Sequence, residues 1–332
     1  MNHYPLHPKV YDDDVPQEGT RAGFGRGLKA AGEANERIVA LCADLTESTQ
    51  ISLFRDAFPG RYIEMGVAEQ NLVTVASGLA RAGKIPFTSS YAAFSPGRNW
   101  EQIRTTIALN DQPVKIIGSH AGVSVGPDGA THQMLEDIAL MRVLSNMVVV
   151  APGDSVEAEK ATKLIAENGK PSYLRLAREK TPIFSTPESP FAIGKAYILR
   201  EGTEVSLLGT GTMTYQLLGA ANLLQAQGVS AEVVHVPTIK PLDTETILAS
   251  IRKTGRAVTA EEAQMAAGFG GAIAELLGDQ LPTALYRIGM KDRFGESGIP
   301  AELIKHFELD GASMAKNIKA FIGRVPRYHQ GF

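Results

Sequence analysis

The chain has 332 residues, a formal charge of −3 and a hydrophobic content of 44%. These values are ordinary for a globular protein of about two domains, and they give no reason to expect binding to nucleic acid. The opening segment lacks the basic and apolar regions of a signal peptide, and no apolar run approaches the ~20 residues of a membrane span. We therefore expect a cytoplasmic protein with neither a membrane nor a nucleic-acid partner.

Cysteine usage points to the same compartment. Cys42 is the only cysteine in the sequence, which excludes an internal disulfide framework and fits a reducing environment. It lies in the apolar segment RIVALCAD, so a buried strand residue is favoured over a nucleophile.

In the first half of the chain, short apolar segments alternate with longer amphipathic ones, as in parallel sheets flanked by helices. Strands are predicted at RIVALCAD (37–44), PFTSSY (86–91), PVKIIGSH (113–120), NMVVVAPG (146–153) and PSYLRLA (171–177). Helices are predicted between them, for instance over 68–83 and 156–169. Both of these end at a glycine, Gly83 and Gly169, which is typical of helix C-termini.

A proline-containing break then separates two domains. Pro182, Pro187 and Pro190 interrupt the periodicity, so we predict a first domain at 15–185, a linker at 186–194 and a second domain at 195–325. In the second domain, strands are predicted at 204–211, 230–237 and 256–262, and helices at 215–228, 244–252, 270–277 and 312–323. The predicted fold class is therefore α/β, with two consecutive domains that are each a mostly parallel sheet flanked by helices.

One glycine motif of the second domain resembles a dinucleotide-binding turn. The segment GTGTMT, at residues 209–214, follows a predicted strand and precedes a predicted helix. Thr214 stands where the dinucleotide fingerprint has its third glycine. A tight strand-to-helix turn is therefore favoured over an NAD site, and an NAD-dependent oxidoreductase is the least favoured function.

Candidate chemistry lies in the first domain. Glu69 stands among small and apolar residues, where a carboxylate needs either a partner or a proton. His120, Asp128 and His132 share one glycine-rich segment that follows a predicted strand. Its spacing matches no compact zinc motif, so a polar substrate site is favoured over a metal site.

Two further pairs have open interpretations. Tyr91 and Phe94 are either ordinary core residues or an aromatic wall for a flat heterocycle. Arg21 and Arg178 are either solvated or, if they converge on one pocket, ligands for a phosphate or carboxylate.

Together these segments resemble the transketolase family, in particular its pyrimidine-binding and C-terminal domains. The resemblance covers nearly the whole chain in the family's order. The shared motifs are ADLTES (43–48), RYIEMGVAEQN (61–71), SYAAF (90–94), GPDGATHQ (126–133), LAREKTP (176–182), VPTIKPLD (236–243), EEAQMAAGFGGAIAELL (261–277) and DRFGESG (292–298).

The resemblance implies thiamine diphosphate as the cofactor, acting as an electron sink. The family's matching glutamate bonds to N1′ of the aminopyrimidine ring and favours its imino tautomer, which assigns Glu69 a catalytic and cofactor-binding role. By the same match, Tyr91 and Phe94 pack on that ring, and Arg98 caps the pocket.

The resemblance also implies the substrates. A two-carbon ketol unit passes from a ketose phosphate to an aldose phosphate, as in the pentose phosphate pathway. His132 and Asp128 contact the hydroxyls of the donor, and His120 assists proton movement at the same oxygens. Three residues are expected to hold the phosphate: Arg21, Ser48 and Arg178.

One part of the family's machinery has no match in the sequence. Transketolases bind the diphosphate and magnesium through a separate domain with a Gly-Asp-Gly motif, which this sequence lacks. Gly153 and Asp154 are followed by Ser155 and a predicted helix, which indicates a capping role instead. We therefore expect the C-terminal subunit of a split transketolase. An N-terminal partner subunit supplies the diphosphate and Mg²⁺ ligands, and by family analogy the assembly holds two copies of each chain.

Three alternatives remain open. Deoxyxylulose-phosphate synthase shares AEQ and DGATHQ, and the β chain of a 2-oxo acid dehydrogenase shares the Glu-Gln pair. The histidine of SHAG favours transketolase over the synthase, and GPDGATHQ is not expected in the dehydrogenase. A non-catalytic scaffold subunit is the third alternative, although a scaffold has no need of the set of candidate site residues.

Overall fold

The computed structural model describes residues 4–327 and has two α/β domains. Its strands are β1 (Gln17–Gly19), β2 (Ile38–Cys42), β3 (Tyr62–Glu64), β4 (Ile85–Tyr91), β5 (Lys115–Ser119), β6 (Val148–Val150), β7 (Ser172–Arg175), β8 (Lys180–Pro182), β9 (Tyr197–Arg200), β10 (Val205–Gly209), β11 (Ala231–His235), β12 (Thr238–Lys240), β13 (Ala257–Gln264) and β14 (Leu285–Met290).

The helices lie mainly between these strands. They are α1 (Thr20–Ala34), α2 (Ser52–Ala57), α3 (Glu69–Arg81), α4 (Trp100–Gln102), α5 (Asp137–Arg142), α6 (Ser155–Glu167), α7 (Met213–Gln225), α8 (Thr244–Thr254), α9 (Phe269–Gln280), α10 (Pro300–His306) and α11 (Gly311–Arg324). A π-helical turn, Ile103–Ala108, continues α4, and 3₁₀ turns occupy Pro59–Arg61 and Val123–Asp128.

Two mostly parallel sheets organise the chain, which confirms the predicted fold class. The first has seven strands in the order β12-β6-β7-β5-β4-β2-β3, and the second has five in the order β14-β13-β10-β11-β9. Only β12 in the first sheet and β9 in the second run antiparallel to their neighbours. A small antiparallel pair, β1 and β8, joins the segment before α1 to the segment after β7.

Several local predictions are confirmed. Cys42 is fully buried in β2. Helices α3 and α6 end just before Gly83 and Gly169, both of which have positive φ. The side chain of Asp154 accepts a hydrogen bond from Glu157 N at 3.0 Å and so caps α6. The segment 209–214 forms the expected turn between β10 and α7.

The sequence did not predict how closely the two domains are joined. Strand β12 belongs to the second half of the chain but pairs with β6, with Thr238 opposite Val150. A buried network also crosses between the halves, since His235 Nε2 lies 2.7 Å from Glu157 Oε2, and both side chains are inaccessible to solvent. The domains therefore share a sheet and a core.

Helix α1 packs closely against the backbone of α6. A Cβ atom added to Gly23 would lie 1.9 Å from Ser155 O, and one added to Gly27 would lie 2.7 Å from Glu159 O. Only glycine leaves room for this approach. Across residues 4–327, no helix is both long enough and apolar enough to span a membrane.

Candidate active site

The predicted site residues other than Asp128 lie at one edge of the first sheet, where its parallel strands end. The register aligns these ends, with Tyr91 opposite Ser119 and Cys42 opposite both Ser89 and Glu64. Ligands bind outside the carboxyl ends of strands in open α/β sheets. The segments that follow β2, β3, β4, β5 and β7 therefore meet where a ligand is expected.

Glu69 begins α3 and is 2% exposed. Its Oε2 atom lies 3.1 Å from Nη1 of Arg98, and its backbone oxygen accepts a hydrogen bond from Asn99 Nδ2 at 2.8 Å. The position at a helix N-terminus also favours a negative charge. Among residues 4–327 no donor reaches Oε1 of Glu69, so this oxygen is available to a ligand.

A cluster of four rings lies beside this carboxylate. Tyr91 stacks on His120 with ring centroids 3.8 Å apart, and Phe94 stacks on Tyr91 at 6.0 Å. His132 meets both aromatic rings edge-on, at 5.4 Å from Phe94 and 6.2 Å from Tyr91. The guanidinium of Arg98 lies 5.4 Å from the centre of Phe94 and so joins this cluster to Glu69.

The environment of His120 keeps its imidazole neutral. Burial first, and then the positive charges of Arg21 and Arg178 together with His132, lower its pKa from 6.5 to about 3. Nδ1 lies 2.9 Å from Ser119 Oγ, so the other ring nitrogen is left to meet a ligand. A neutral imidazole of this kind can donate or accept one hydrogen bond at a sugar oxygen.

The two arginines of the sequence prediction converge. Arg21 stands in the first turn of α1, and Arg178 follows β7, where Thr20 Oγ1 accepts a hydrogen bond from Ala177 N at 2.9 Å. Arg21 Nη1 donates to Ser48 O at 2.7 Å, and Arg178 Nη1 donates to Val125 O at 2.5 Å. Both arginines line one cavity of about 480 Å³ together with Lys180, and Glu18 and Glu179 line it too. The three basic groups outnumber the two carboxylates, so one anionic group can bind where the arginines meet.

Asp128 stands apart from this arrangement. We call residues 120–132 the histidine loop, and Asp128 lies on its exposed side. Its backbone oxygen is the acceptor for Thr131 Oγ1 at 3.5 Å, whereas no contact joins its carboxylate to the ring cluster within residues 4–327. The structure thus brings His120 and His132 to the rings but does not bring Asp128 there, and a substrate role for Asp128 stays a prediction.

Asn99 is a site residue that the sequence did not indicate. It is fully buried, donates to both Glu69 O and Ser95 Oγ, and keeps an Oδ1 atom without a partner in the described chain. A side chain so placed fixes the start of α3. An asparagine in a loop has many ordinary roles, so its residue type did not mark it as a site residue. The signal that the sequence offered was its position next to Arg98.

Comparison with known proteins places both halves of the chain. Residues 17–183 match the family model of the transketolase pyrimidine-binding domain, and residues 194–314 match that of the transketolase C-terminal domain. A putative transketolase C-terminal section from Methanocaldococcus jannaschii is 44% identical over 91% of this chain and 95% of its own length.

Two further proteins are similar over most of their length. The 6-deoxy-6-sulfo-D-fructose transketolase subunit SqwH of a Clostridium species is 41% identical over 86% of this chain and 88% of its own. A solved structure described as a split-gene transketolase, inactive β4 tetramer, is 41% identical, with a TM-score of 0.86 over 92% of this chain and 98% of that chain.

Proposed function

The chain belongs to the transketolase family, and on that premise we propose that it is one subunit of a two-chain, thiamine diphosphate-dependent transketolase. It holds the pyrimidine-binding domain, at 15–185, and the C-terminal domain, at 195–325, joined by the linker at 186–194. The enzyme works in the cytoplasm and transfers a two-carbon ketol unit from a ketose phosphate to an aldose phosphate, as in the pentose phosphate pathway. The observation that carries this proposal is the meeting of Glu69, the ring cluster and the two arginines at one sheet edge.

The residues around Glu69 fit the aminopyrimidine ring. A buried carboxylate with one open oxygen can share a hydrogen with a ring nitrogen, and the flat faces of Tyr91 and Phe94 offer a wall beside it. Arg98 holds the other carboxylate oxygen. When bound, the cofactor supplies the electron sink that cleavage of a bond next to a carbonyl requires.

The remaining residues bind and orient the sugars. His120 meets the donor's oxygens as a neutral imidazole, and His132, which lies edge-on to Tyr91, binds them as well. Arg21 and Arg178 already donate to the backbone oxygens of Ser48 and Val125, and they bind the phosphate with their remaining N–H groups. Asp128 contacts the donor's hydroxyls in this proposal, a role that rests on the family resemblance and not on its position beside the ring cluster.

The diphosphate and Mg²⁺ belong to a partner chain in this proposal. The chain matches two transketolase domains and spans 95% of a relative named as a C-terminal section, which supports a split enzyme. The split-gene relative is described as an inactive β4 tetramer. We propose an N-terminal subunit with the diphosphate-binding domain, and two copies of each chain in a heterotetramer.

The test is reconstitution. This chain and a diphosphate-binding transketolase chain from the same genome are co-expressed, and ketol transfer from xylulose 5-phosphate to ribose 5-phosphate is measured with thiamine diphosphate and Mg²⁺. We expect activity only with both chains, and a loss of about 100-fold or more in Glu69→Gln. Glu33→Gln, a change at an exposed carboxylate of α1, is the matched control.

The outcomes separate the parts of the proposal. Ketol transfer by this chain without a partner would refute the two-chain enzyme. Cofactor binding without transfer would keep the cofactor and exclude these sugars. Full activity in Glu69→Gln would remove the role of Glu69.

A further inference from the structure

The histidine loop has four residues with positive φ. His120 has a φ of 58°, and Gly122, Gly126 and Gly129 have φ values of 93°, 82° and 72°. The left-handed region is unfavourable for a residue with a side chain, and it persists when surrounding contacts over-determine it. Glycine adopts this region freely, so His120 is the one of these four residues whose conformation needs support from its surroundings.

One such group reaches the loop from the second domain. Glu262, in β13, is 3% exposed, and its Oε1 atom accepts a hydrogen bond from Ser124 N at 2.6 Å. The same carboxylate packs on Gly122, where an added Cβ would lie 2.3 Å from Oε1. Glu262 therefore contacts the loop at two places between the two histidines.

Glu262 is itself held on both sides. Its Oε2 atom lies 3.4 Å from Thr212 Oγ1, at the start of α7. Its backbone oxygen accepts a hydrogen bond from Arg175 Nη2 at 2.8 Å, and Arg175 is fixed by an ion pair with Asp137 at 2.8 Å. A carboxylate that is positioned this way can fix the backbone that it binds.

A second part of the same domain covers the other side of the loop. Gln133 Nε2 lies within hydrogen-bond distance of Glu296 O at 2.9 Å and of the loop oxygens of Val123 and Gly126 at 3.1 and 3.2 Å. A Cβ atom on Gly126 would lie 2.8 Å from Pro300 Cγ. Glu296, in the motif DRFGESG, and the nearby Pro300 thus pack against the other side of the loop.

We propose that Glu262 is a positioning residue, which holds the histidine loop through Ser124 N–H so that His120 and His132 meet the donor sugar. This inference rests on the proposed transketolase function. The second domain therefore contributes to donor binding without touching the donor. The reach of the carboxylate matters more than its charge, because a neutral side chain of the same length still offers an oxygen to Ser124 N–H, and Arg175 keeps its ion pair with Asp137.

Two substitutions separate reach from charge. Glu262→Asp keeps the charge but withdraws the oxygen by one methylene, whereas Glu262→Gln keeps the oxygen and removes the charge. In the reconstituted two-chain enzyme we expect Glu262→Asp to raise KM for the donor about 10- to 100-fold with a smaller change in kcat, and Glu262→Gln to stay within about threefold. Glu302→Asp, at an exposed carboxylate of α10, is the control.

A merely structural role predicts a different pattern. If Glu262 only stabilised the domain interface, Glu262→Asp would lower the active fraction and kcat while KM stayed unchanged. Equal KM values for Glu262→Asp and wild type, or a larger effect in Glu262→Gln than in Glu262→Asp, would overturn the proposal. Calorimetric binding of thiamine diphosphate should stay within about twofold in all variants.

Hydrogen exchange tests the same contact without any activity. Peptides that cover residues 120–132 are followed in the full chain, and we expect exchange at Ser124 to become about 10-fold faster or more in Glu262→Asp than in Glu262→Gln or Glu302→Asp. Unchanged exchange would refute the positioning role, even if the enzyme proved to use no sugar phosphate. Failure of the transketolase assay with altered exchange would refute the sugar assignment alone.

Discussion

The contact between α1 and α6 gives a prediction whose size follows from the structure. In Gly23→Ala the new methyl group would lie 1.9 Å from Ser155 O, although ordinary contact begins at 3.4 Å. The obstacle is backbone at the start of α6, so the helices must move apart by about 1.5 Å. Overpacking of this kind costs about 3 kcal/mol, and the better helix propensity of alanine offsets about 1 kcal/mol. We expect a net loss of about 2 kcal/mol.

The assay is urea unfolding of the full chain followed by tryptophan fluorescence. Trp100 is the only tryptophan, and its Nε1 donates to Leu140 O at 2.8 Å within the first domain, so the signal reports on that domain. Gly78→Ala, in α3, is the control. An added Cβ at Gly78 has no atom within 4 Å, so this change should raise the free energy of unfolding by up to about 1 kcal/mol.

The two glycines should therefore respond with opposite signs. Equal stabilisation of both variants would refute the reasoning, because it would show that α1 and α6 are not in backbone contact at Gly23. Since Arg21 lies two residues before Gly23, the displaced helix should also bind inorganic phosphate more weakly.

Three further changes test other buried groups. Burial raises the pKa of Glu261 from 4.5 to about 7. The folded state therefore binds more protons than the unfolded state in this window, and stability falls as pH rises through it. Between pH 4.5 and 7 the free energy of unfolding should fall by about 3 kcal/mol less in Glu261→Gln than in the wild-type protein. Burial, with the charges of Arg21 and Arg178, lowers the pKa of His120 to about 3. Its NMR resonances, which are assigned by their loss in His120→Asn, should therefore not titrate between pH 5 and 8. A titration midpoint near 6.5 would contradict this. Tyr4 donates to Glu157 Oε1 at 2.6 Å in a buried network, so Tyr4→Phe should lower the free energy of unfolding by about 1–3 kcal/mol in urea, and an unchanged value would show that the hydroxyl is dispensable.

Local signals in the sequence were sufficient for much of the fold. Glycines that end α3 and α6 and the aspartate that caps α6 act within a few residues of each other, so spacing alone identifies them. Helix α1 was not predicted, because four of its 15 residues are glycines, which are poor helix formers. Its stability comes from packing against α6, which a local pattern does not contain.

The candidate site, too, was predicted only where the signal is local in the sequence. The sequence indicated Glu69 and the histidine loop because residue type and spacing carry that chemistry. It did not show that Arg98 pairs with Glu69 or that Asn99 supports it, since these contacts depend on how the segment after β4 folds. Nor did it show that Asp128 lies apart, which depends on the fold of the histidine loop after β5. The sequence did not indicate the role of Glu262, because its contact with Ser124 joins residues that are 138 positions apart.

The strand β12 sets a limit on how the chain can be divided. If the second half were removed, β6 would become the edge of the first sheet and expose the backbone of three valines, Val148–Val150. Bare apolar edges invite pairing with other chains and aggregation. We infer that the first domain does not stay soluble when it is expressed without the second. A gene arrangement that separated the two domains would therefore produce an aggregation-prone fragment instead of a functional domain.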